Sequence, residues 1–410
     1  MKTDGIIENK DLMNNVWFGL PKDSHNVFRT DCLANSNWRQ LIALNPVDTF
    51  VLNDPIDLDK LKDFILINRT NLCAGYLSYD LGLAIQGIHS RYKFHQPLAV
   101  FHAYNNWLEM DENQYPVFHG DNDFQDQIKQ LILKESPIIA QHKPLRLEPT
   151  VSQGHYQRSV QTIHDYIRAG DFYQINYTQQ LGGNTNQPPR SLYTELIQAN
   201  PAGRACYFEF GDISVHSLSP ELLLHHHDGM LTTEPIKGTR PRGDKPEADN
   251  LLKQELLDSS KEQAELFMIT DLLRNDIGKV AEIGSVHISE LKEILKLPRV
   301  WHTYSRIKAK LSSDLHPIDA LFSMFPGGSI TGCPKRRAME VIDELEISSR
   351  GIYTGSLGYI HPDGDFSFNI AIRTLVQQGH NLTLGTGGGI TIDSNWLAEW
   401  DELLVKASSF

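Results

Sequence analysis

The sequence predicts an α+β fold whose strands run antiparallel. Helix-like stretches fall in blocks between blocks of strands and do not alternate with them one for one, which argues against a doubly wound parallel sheet. Turns as short as Pro362-Asp363-Gly364 and Gln378-Gly379-His380 join successive strand-like runs, and strands joined so tightly must be antiparallel. The 410 residues, 40% hydrophobic and 22% charged, supply ample apolar material for a large core.

The first division is expected at a proline-rich stretch. Residues 1–136 read as a mixed α/β region with a helix from Asp57 to about Arg69 and a strand over Ala74-Gly75-Tyr76-Leu77-Ser78-Tyr79-Asp80. The runs Leu98 to Tyr104 and Tyr115 to His119 flank the polar Asp111-Glu112-Asn113 and suggest a hairpin, followed by a helix from Asp123 to about Glu135. Residues 137–154, with three prolines and little periodicity, are the linker candidate.

Residues 155–410 are patterned more regularly. A helix ending at Gly170 precedes a strand over Tyr173 to Thr178, and a helix near Leu192 to Gln198 precedes strands over Ala205 to Phe210 and Ile213 to Ser217. Leu222 to Thr233 folds back through Asp228-Gly229, a strong hairpin signal, and His225-His226-His227 decorates that hairpin. Long helices are expected from about Ala248 to Asp276, shorter ones at Pro317 to Met324 and Lys335 to Leu345. A strand meander over Ile352 to Ile392 and a last helix beginning near Ser394 complete the order.

A formal net charge of −13 argues against a general nucleic-acid binder, because neutralising phosphates takes clustered Lys and Arg in excess. Any anionic substrate must be met by local positive charge. Cys32, Cys73, Cys206 and Cys333 lie far apart without paired metal-ligand spacing and are expected to be reduced thiols. With no apolar signal region and no uncharged run of membrane-spanning length, the expectation is a cytoplasmic protein with no membrane contact.

Local positive charge concentrates in Pro235-Ile236-Lys237-Gly238-Thr239-Arg240-Pro241-Arg242-Gly243. If extended, this stretch points Lys237 and Thr239 to one side and follows them with two cations, a presentation suited to a small anion; a basic surface loop is the plainer alternative. The helix Lys261 to Arg274 is apolar around most of its circumference, and Glu265 shares a face with Ile269 and Leu272. Such a carboxylate has to be paired, protonated or metal-bound. Glu262 lies one turn earlier, where a capping box with Ser259 explains it equally well. In the last helix Leu397, Trp400 and Leu404 form an apolar stripe with Glu399 and Glu402 opposite. If the two helices pack together, four carboxylates converge on a site suited to Mg²⁺; a solvated face is the ordinary meaning of such a pair.

Two glycine-rich segments stand out. Phe325 to Lys335 runs into a helix, so free amides and Thr331 could hold a carboxylate, and Gly385 to Gly389 lets backbone approach a ligand closely. Neither fits the phosphate-loop or dinucleotide pattern, which disfavours nucleotide binding. On a strand from Phe366 to Val376, Arg373 falls on the polar face, either solvent-facing or a bidentate clamp for a carboxylate. His302 has the pattern of a core histidine.

These motifs together resemble those of the chorismate-utilising enzymes, most closely the component I group of aminodeoxychorismate synthases. The resemblance covers nearly the whole chain and is strongest from about residue 153 to 408. It rests on Gly170-Asp171-Phe172-Tyr173-Gln174-Ile175-Asn176, Ser219-Pro220-Glu221, the Lys237 stretch, Asp271-Leu272-Leu273-Arg274-Asn275-Asp276 and the segments Gly327 to Glu346 and Gly387 to Glu402. It implies two large packed antiparallel sheets flanked by helices, with the site between them in the catalytic region 155–410. It also implies Mg²⁺ held by Glu265 and Glu402, with Glu262 and Glu399 supporting through water. Tyr353 and Arg373 would bind the enolpyruvyl carboxylate of chorismate, helped by amides near Gly388, and Thr239, His302, Thr331 and Lys335 match substrate-contact positions. Leu222 after the Ser-Pro-Glu motif and Leu266 after Glu265 depart from residues common in the family.

The residue at 237 distinguishes groups within the family. Anthranilate synthases typically carry alanine there, whereas aminodeoxychorismate synthases carry lysine. The resemblance therefore implies C4 amination of chorismate, a step of p-aminobenzoate and folate synthesis, with Lys237 as nucleophile and Glu221 as general acid. A separate glutamine amidotransferase subunit would supply the ammonia. The alternatives are an anthranilate synthase component I, an isochorismate synthase, or a non-catalytic subunit that binds chorismate or tryptophan.

Overall fold

The structure is a computed structural model that describes residues 9–20, 24–32, 38–110, 115–133, 143–297 and 300–410. Every named strand pairing among them is antiparallel. The strands make an 11-stranded and a 10-stranded sheet, and two apolar clusters, each with residues from both sheets, join them. The expected α+β fold of two large packed antiparallel sheets flanked by helices is the one observed.

The first sheet runs from Gly332–Cys333 through Gln174–Asn184, Asn381–Ile390, Thr374–Gln378, Ile213–Ser217 and Ala205–Phe210 to Phe28–Asp31, Leu41–Ala43, Trp107–Met110 and Pro116–His119. The second runs from Ile236–Pro241 through Val300–Lys310, Met230–Glu234, Leu222–His227, Phe366–Asn369 and Ser356–Ile360 to Leu72–Leu77, Ala99–Tyr104 and Asp48–Leu52. The division expected at 137–154 does not separate these layers. Strands from the first third complete both sheets, and within the expected linker Leu147–Pro149 pairs with Gln174–Asn184; residues 134–142 lie outside the described residues.

Several expected elements shift for local reasons. The strand expected over 74–80 is Leu72–Leu77, because the Ser78 hydroxyl accepts from the Leu81 amide and caps a helix, Tyr79–Ile85. The expected hairpin pairs Pro116–His119 with Trp107–Met110, while Ala99–Tyr104 joins the other sheet. At the Leu222–His227 hairpin, Asp228 and Gly229 both take positive φ (48° and 75°), as a tight two-residue turn requires. The long ribbon His287–Lys296 against Val300–Lys310 was not expected, since its alternating charges resemble a loop until a partner strand covers one face.

The strand expected over Phe366 to Val376 breaks in two. Phe366–Asn369 belongs to the second sheet and Thr374–Gln378 to the first, and residues 370–373 cross between them with Arg373 at φ +48°. Asn369 fixes the crossing: its amide donates to the Arg204 carbonyl (2.9 Å) and the Ser217 hydroxyl (3.2 Å). In the last helix, Trp396–Ala407, the buried stripe is Trp400, Leu403 and Ala407, and Leu397 and Leu404 are exposed. Leu222 and Leu266 are buried, so both departures from the family pattern are core positions. Cys73, Cys206 and Cys333 are free thiols, and no helix among the described residues is long and apolar enough to cross a membrane.

Candidate active site

The Lys237 strand is held firmly but irregularly. Its register against Val300–Lys310 slips between Lys237 and Thr239, where Gly238 takes φ +66°. This is a β-bulge, and it re-aims the side chains that simple alternation would have placed together. The Thr303 hydroxyl donates to the Lys237 carbonyl (2.7 Å). The arginines that follow are not free cations. Arg240 approaches Glu262 at 3.4 Å and Glu255 at 3.7 Å. Arg242 pairs with Asp249 at 2.6 Å and lies 4.3 Å over the Trp301 ring. Both anchor the loop, the plainer of the two roles the sequence left open for them.

The four glutamates gather around this strand. A Cβ on Gly238 would stand 3.1 Å from Oε2 of Glu262, and one on Gly388 would stand 3.3 Å from Oε2 of Glu399. Helix Ser260–Gly278 carries Glu262 and Glu265, with Ser259 capping it by accepting from the Glu262 amide (3.3 Å). That cap is half of the capping box; the Glu262 carboxylate itself turns to Arg240. Burial raises the Glu265 pKa, the neighbouring Glu262 and Glu399 add to the rise, and Lys237 and Lys261 oppose it. Burial also raises Glu399, with Glu402 adding, although Ser394 donates to it at 2.8 Å. For Glu402 burial works upward but Lys406, at 2.8 Å, prevails and lowers it. No three of these carboxylates bring oxygens within 4.8 Å of one another, so the cluster is open. Carboxylates grouped in this way, with Glu265 and Glu399 each raised by an acidic neighbour, are a donor set that fits a hard dication with water and substrate oxygens in its shell.

Glu221 is buried beside Lys237, and its Oε1 has no hydrogen-bond partner. Burial raises its pKa while Lys237, Ser329 and Arg204 pull the other way. A buried carboxyl favoured in its neutral form near an amine is chemically able to deliver a proton to a leaving group.

His302, Arg373 and Tyr353 are the residues expected to meet a carboxylate. His302 is 4% exposed; its Nδ1 lies 2.9 Å from the Gly238 carbonyl and 3.0 Å from the Thr239 hydroxyl, and its Nε2 has no partner. Burial lowers its pKa to about 4, and the positive charge of Arg373 adds to the fall. Arg373 is half-buried, its guanidinium pKa is lowered by burial, and no described carboxylate lies within 4.0 Å of it. A cation held this way is a receptor for an anion. The Tyr353 ring packs on Gly385, where a Cβ would meet it at 2.1 Å.

Two expected contact residues have other partners. Thr331 is buried and its hydroxyl donates to the Gly327 carbonyl (3.0 Å), closing the glycine-rich turn. The Lys335 ammonium pairs with Asp276 at 2.7 Å and ties the start of one helix to the end of another. Sequence reasoning overlooked Lys261 and Lys406. Lys406 donates to the Gly387 carbonyl (2.9 Å) as well as to Glu402, and only its place four residues after Glu402 hinted at this.

Comparisons with known proteins bear on the fold and the family. Anthranilate synthase component I from Streptococcus pneumoniae superposes with a TM-score of 0.79 at 27% identity, covering 92% of each chain. The menaquinone-specific isochorismate synthase of Escherichia coli shares the fold at 17% identity, with a TM-score of 0.75 over 96% of this chain and 89% of that one. Aminodeoxychorismate synthase component 1 of Klebsiella aerogenes is 37% identical over 339 residues, 82% of this chain and 75% of that protein. Anthranilate synthase component 1 1 of Haloarcula marismortui is 44% identical over 247 residues, 60% of this chain. The aligned part spans about half the length of that relative and of several others. The family model for chorismate binding enzymes matches residues 26–410, and the chain belongs to that family.

Proposed function

We propose that this chain is an aminodeoxychorismate synthase component I, which aminates chorismate at C4. The observation that carries the reading is Lys237 beside the buried acid Glu221. Relatives named aminodeoxychorismate synthase component 1 also align over 81–82% of the chain, against 60–65% for relatives named anthranilate synthase. In the proposed reaction the lone pair of the Lys237 amine attacks C2 of chorismate, both ring double bonds shift (C1=C2 to C1=C6 and C5=C6 to C4=C5), and the C4 hydroxyl leaves as water with the proton of Glu221. Ammonia then attacks C4, both double bonds shift back, the C2–N bond breaks to release Lys237, and the proton lost by the new ammonium returns to Glu221. Chorismate and ammonia give 4-amino-4-deoxychorismate and water, with the enolpyruvyl group retained.

Arg373 and Tyr353 hold the enolpyruvyl carboxylate, and the unpaired Nε2 of His302 faces the substrate as an acceptor. Glu265 and Glu402, backed by Glu262 and Glu399, would hold Mg²⁺, which when bound supplies positive charge for the ring carboxylate. Ammonia comes from a separate glutamine amidotransferase subunit. The product places the enzyme in p-aminobenzoate and folate synthesis.

The second reading, anthranilate synthase component I, is favoured by the 44% identity to the Haloarcula marismortui protein. Incubation with chorismate, Mg²⁺ and ammonium, followed by product identification, separates the two. The proposal expects 4-amino-4-deoxychorismate; anthranilate or isochorismate as the main product overturns it, and absence of turnover with retained chorismate binding favours a regulatory subunit.

A further inference from the structure

We propose that Glu109, His119 and His361 form a second metal site, for a first-row transition-metal dication of the zinc kind, which clasps one sheet to the other. Glu109 and His119 lie on the paired strands Trp107–Met110 and Pro116–His119 of the first sheet, and His361 directly follows Ser356–Ile360 of the second. Among the described residues these are the one group of three His, Cys, Asp or Glu side chains whose ligand atoms all lie within 4.8 Å of one another. None belongs to the chorismate site.

The spacing suits a metal better than a hydrogen-bonded cluster. His361 Nε2 is 3.3 Å from Glu109 Oε2, and His119 Nε2 is 3.7 Å from the same oxygen. Ligands at about 2.0–2.1 Å from a tetrahedral zinc stand about 3.3–3.4 Å from one another, so a small movement of His119 completes the fit. Glu109 is 9% exposed, and both its Oε2 and His361 Nε2 are buried without a hydrogen-bond partner. The opposite nitrogen of His361 explains why. Its Nδ1 is 2.8 Å from Asp363 Oδ2, and in the tautomer that donates there the lone pair of Nε2 points toward the Glu109 oxygen. Two lone pairs facing each other in a buried place repel, and a cation between them removes the conflict. A carboxylate orienting a histidine from behind is also the usual outer support of a metal-bound imidazole.

The surroundings are consistent with this role. Trp107 stacks on the His119 ring at 4.3 Å and 8°, which fixes its plane. Arg39 pairs with the other oxygen of Glu109 at 3.0 Å, but Asp363 and Asp365, at 2.9 and 3.2 Å, offset its charge. His119 is 31% exposed and leaves access for the ion and a water as fourth ligand. Two nitrogens and one oxygen select a borderline ion such as Zn²⁺ over Mg²⁺, which separates this site chemically from the four-glutamate cluster.

The test uses the full chain stripped by a chelator and titrated with Zn²⁺, and with Co²⁺ as a spectroscopic substitute. Wild type is compared with His119→Gln, His361→Gln and Glu402→Gln. The expected result is one tightly bound equivalent, visible Co²⁺ bands without a thiolate charge-transfer band, and a Zn²⁺-dependent rise in Tm. Glu402→Gln keeps all three, while either histidine change weakens binding by at least about 100-fold. His119 is half-exposed, so its variant folds even if the His361 variant does not. Binding that is absent in wild type, unchanged in His119→Gln, or lost in Glu402→Gln alone overturns the proposal and reduces the trio to a polar cluster.

Discussion

His302 Nδ1 lies 2.9 Å from the Gly238 carbonyl oxygen, and this bond decides which nitrogen of a buried imidazole keeps its lone pair. With Nδ1–H donating to backbone, Nε2 carries the lone pair and has no protein partner. The bulge that supplies the carbonyl directly follows Lys237, so one strand irregularity orients both the imidazole and the lysine.

Acid should destabilise the protein through its buried neutral histidines. Burial lowers His302 and His102 to about 4 and His216 to about 3. In the unfolded chain these groups protonate near their ordinary value of about 6.5. The folded state thus binds fewer protons, and stability present above pH ~6.5 is lost as pH falls toward ~4, by roughly 3 kcal/mol per histidine at most. Urea unfolding at pH ~7 and ~5 should show the loss, and His216→Gln should flatten it. An unchanged slope in that variant contradicts the assignment.

Gly238→Ala should cost both stability and activity. The added methyl meets Leu256 at 2.7 Å and Glu262 at 3.1 Å in a left-handed backbone. A loss of about 1–2 kcal/mol is expected, with a larger fall in kcat than Gly203→Ala produces, because a Cβ at Gly203 meets nothing within 4 Å. Equal kinetic effects at the two positions would remove the bulge from the site.

Arg373→Asn should fold normally and bind chorismate poorly. Asparagine tolerates φ +48°, so the crossing survives, whereas the carboxylate contact is lost. KM for chorismate should rise about 10- to 100-fold with little change in the urea midpoint. Isothermal titration with chorismate checks the binding directly.

Glu265→Gln should stabilise the metal-free protein and inactivate the enzyme. A carboxylate whose pKa is raised on folding weakens the folded state at neutral pH, and the penalty disappears as pH falls below the ordinary carboxylate range. The variant should melt higher than wild type without Mg²⁺ and lose the Mg²⁺-induced rise in Tm. Its activity should drop by at least about 100-fold. A variant that melts lower in both conditions would argue for a purely structural carboxylate.

Lys237→Ala should bind chorismate with near-normal affinity and lose 4-amino-4-deoxychorismate formation by about 1,000-fold or more. Full retention of that product would eliminate the covalent step.

The architecture was legible where turns and glycines dictated it. Asp228-Gly229 and the stop at Gly170 reported antiparallel neighbours and helix ends directly from local chemistry. The spacing of Glu262 and Glu265, and of Glu399 and Glu402, allowed a four-carboxylate site, but the apolar stripe beneath the second pair was misplaced by three residues. Helix propensity does not tell Leu403 from Leu404; packing against the glycine strand does, with Thr386 donating to the Leu403 carbonyl. Arg373 was placed on a continuous strand that does not exist, because a chain crossing between sheets is held by distant residues such as Arg204 and Ser217. The histidine trio was invisible for the same reason, with 242 positions between His119 and His361.

Interleaving early and late strands also sets the order in which the molecule comes into being. Leu72–Leu77 needs Ser356–Ile360 beside it, and Phe28–Asp31 needs Ala205–Phe210. At ribosomal speeds of roughly 5–20 residues per second, the earlier strand of the first pair waits on the order of tens of seconds for its partner. During that wait an apolar edge is open to other chains, so the nascent protein is a natural client for chaperones, and faster synthesis should improve its yield of folded enzyme.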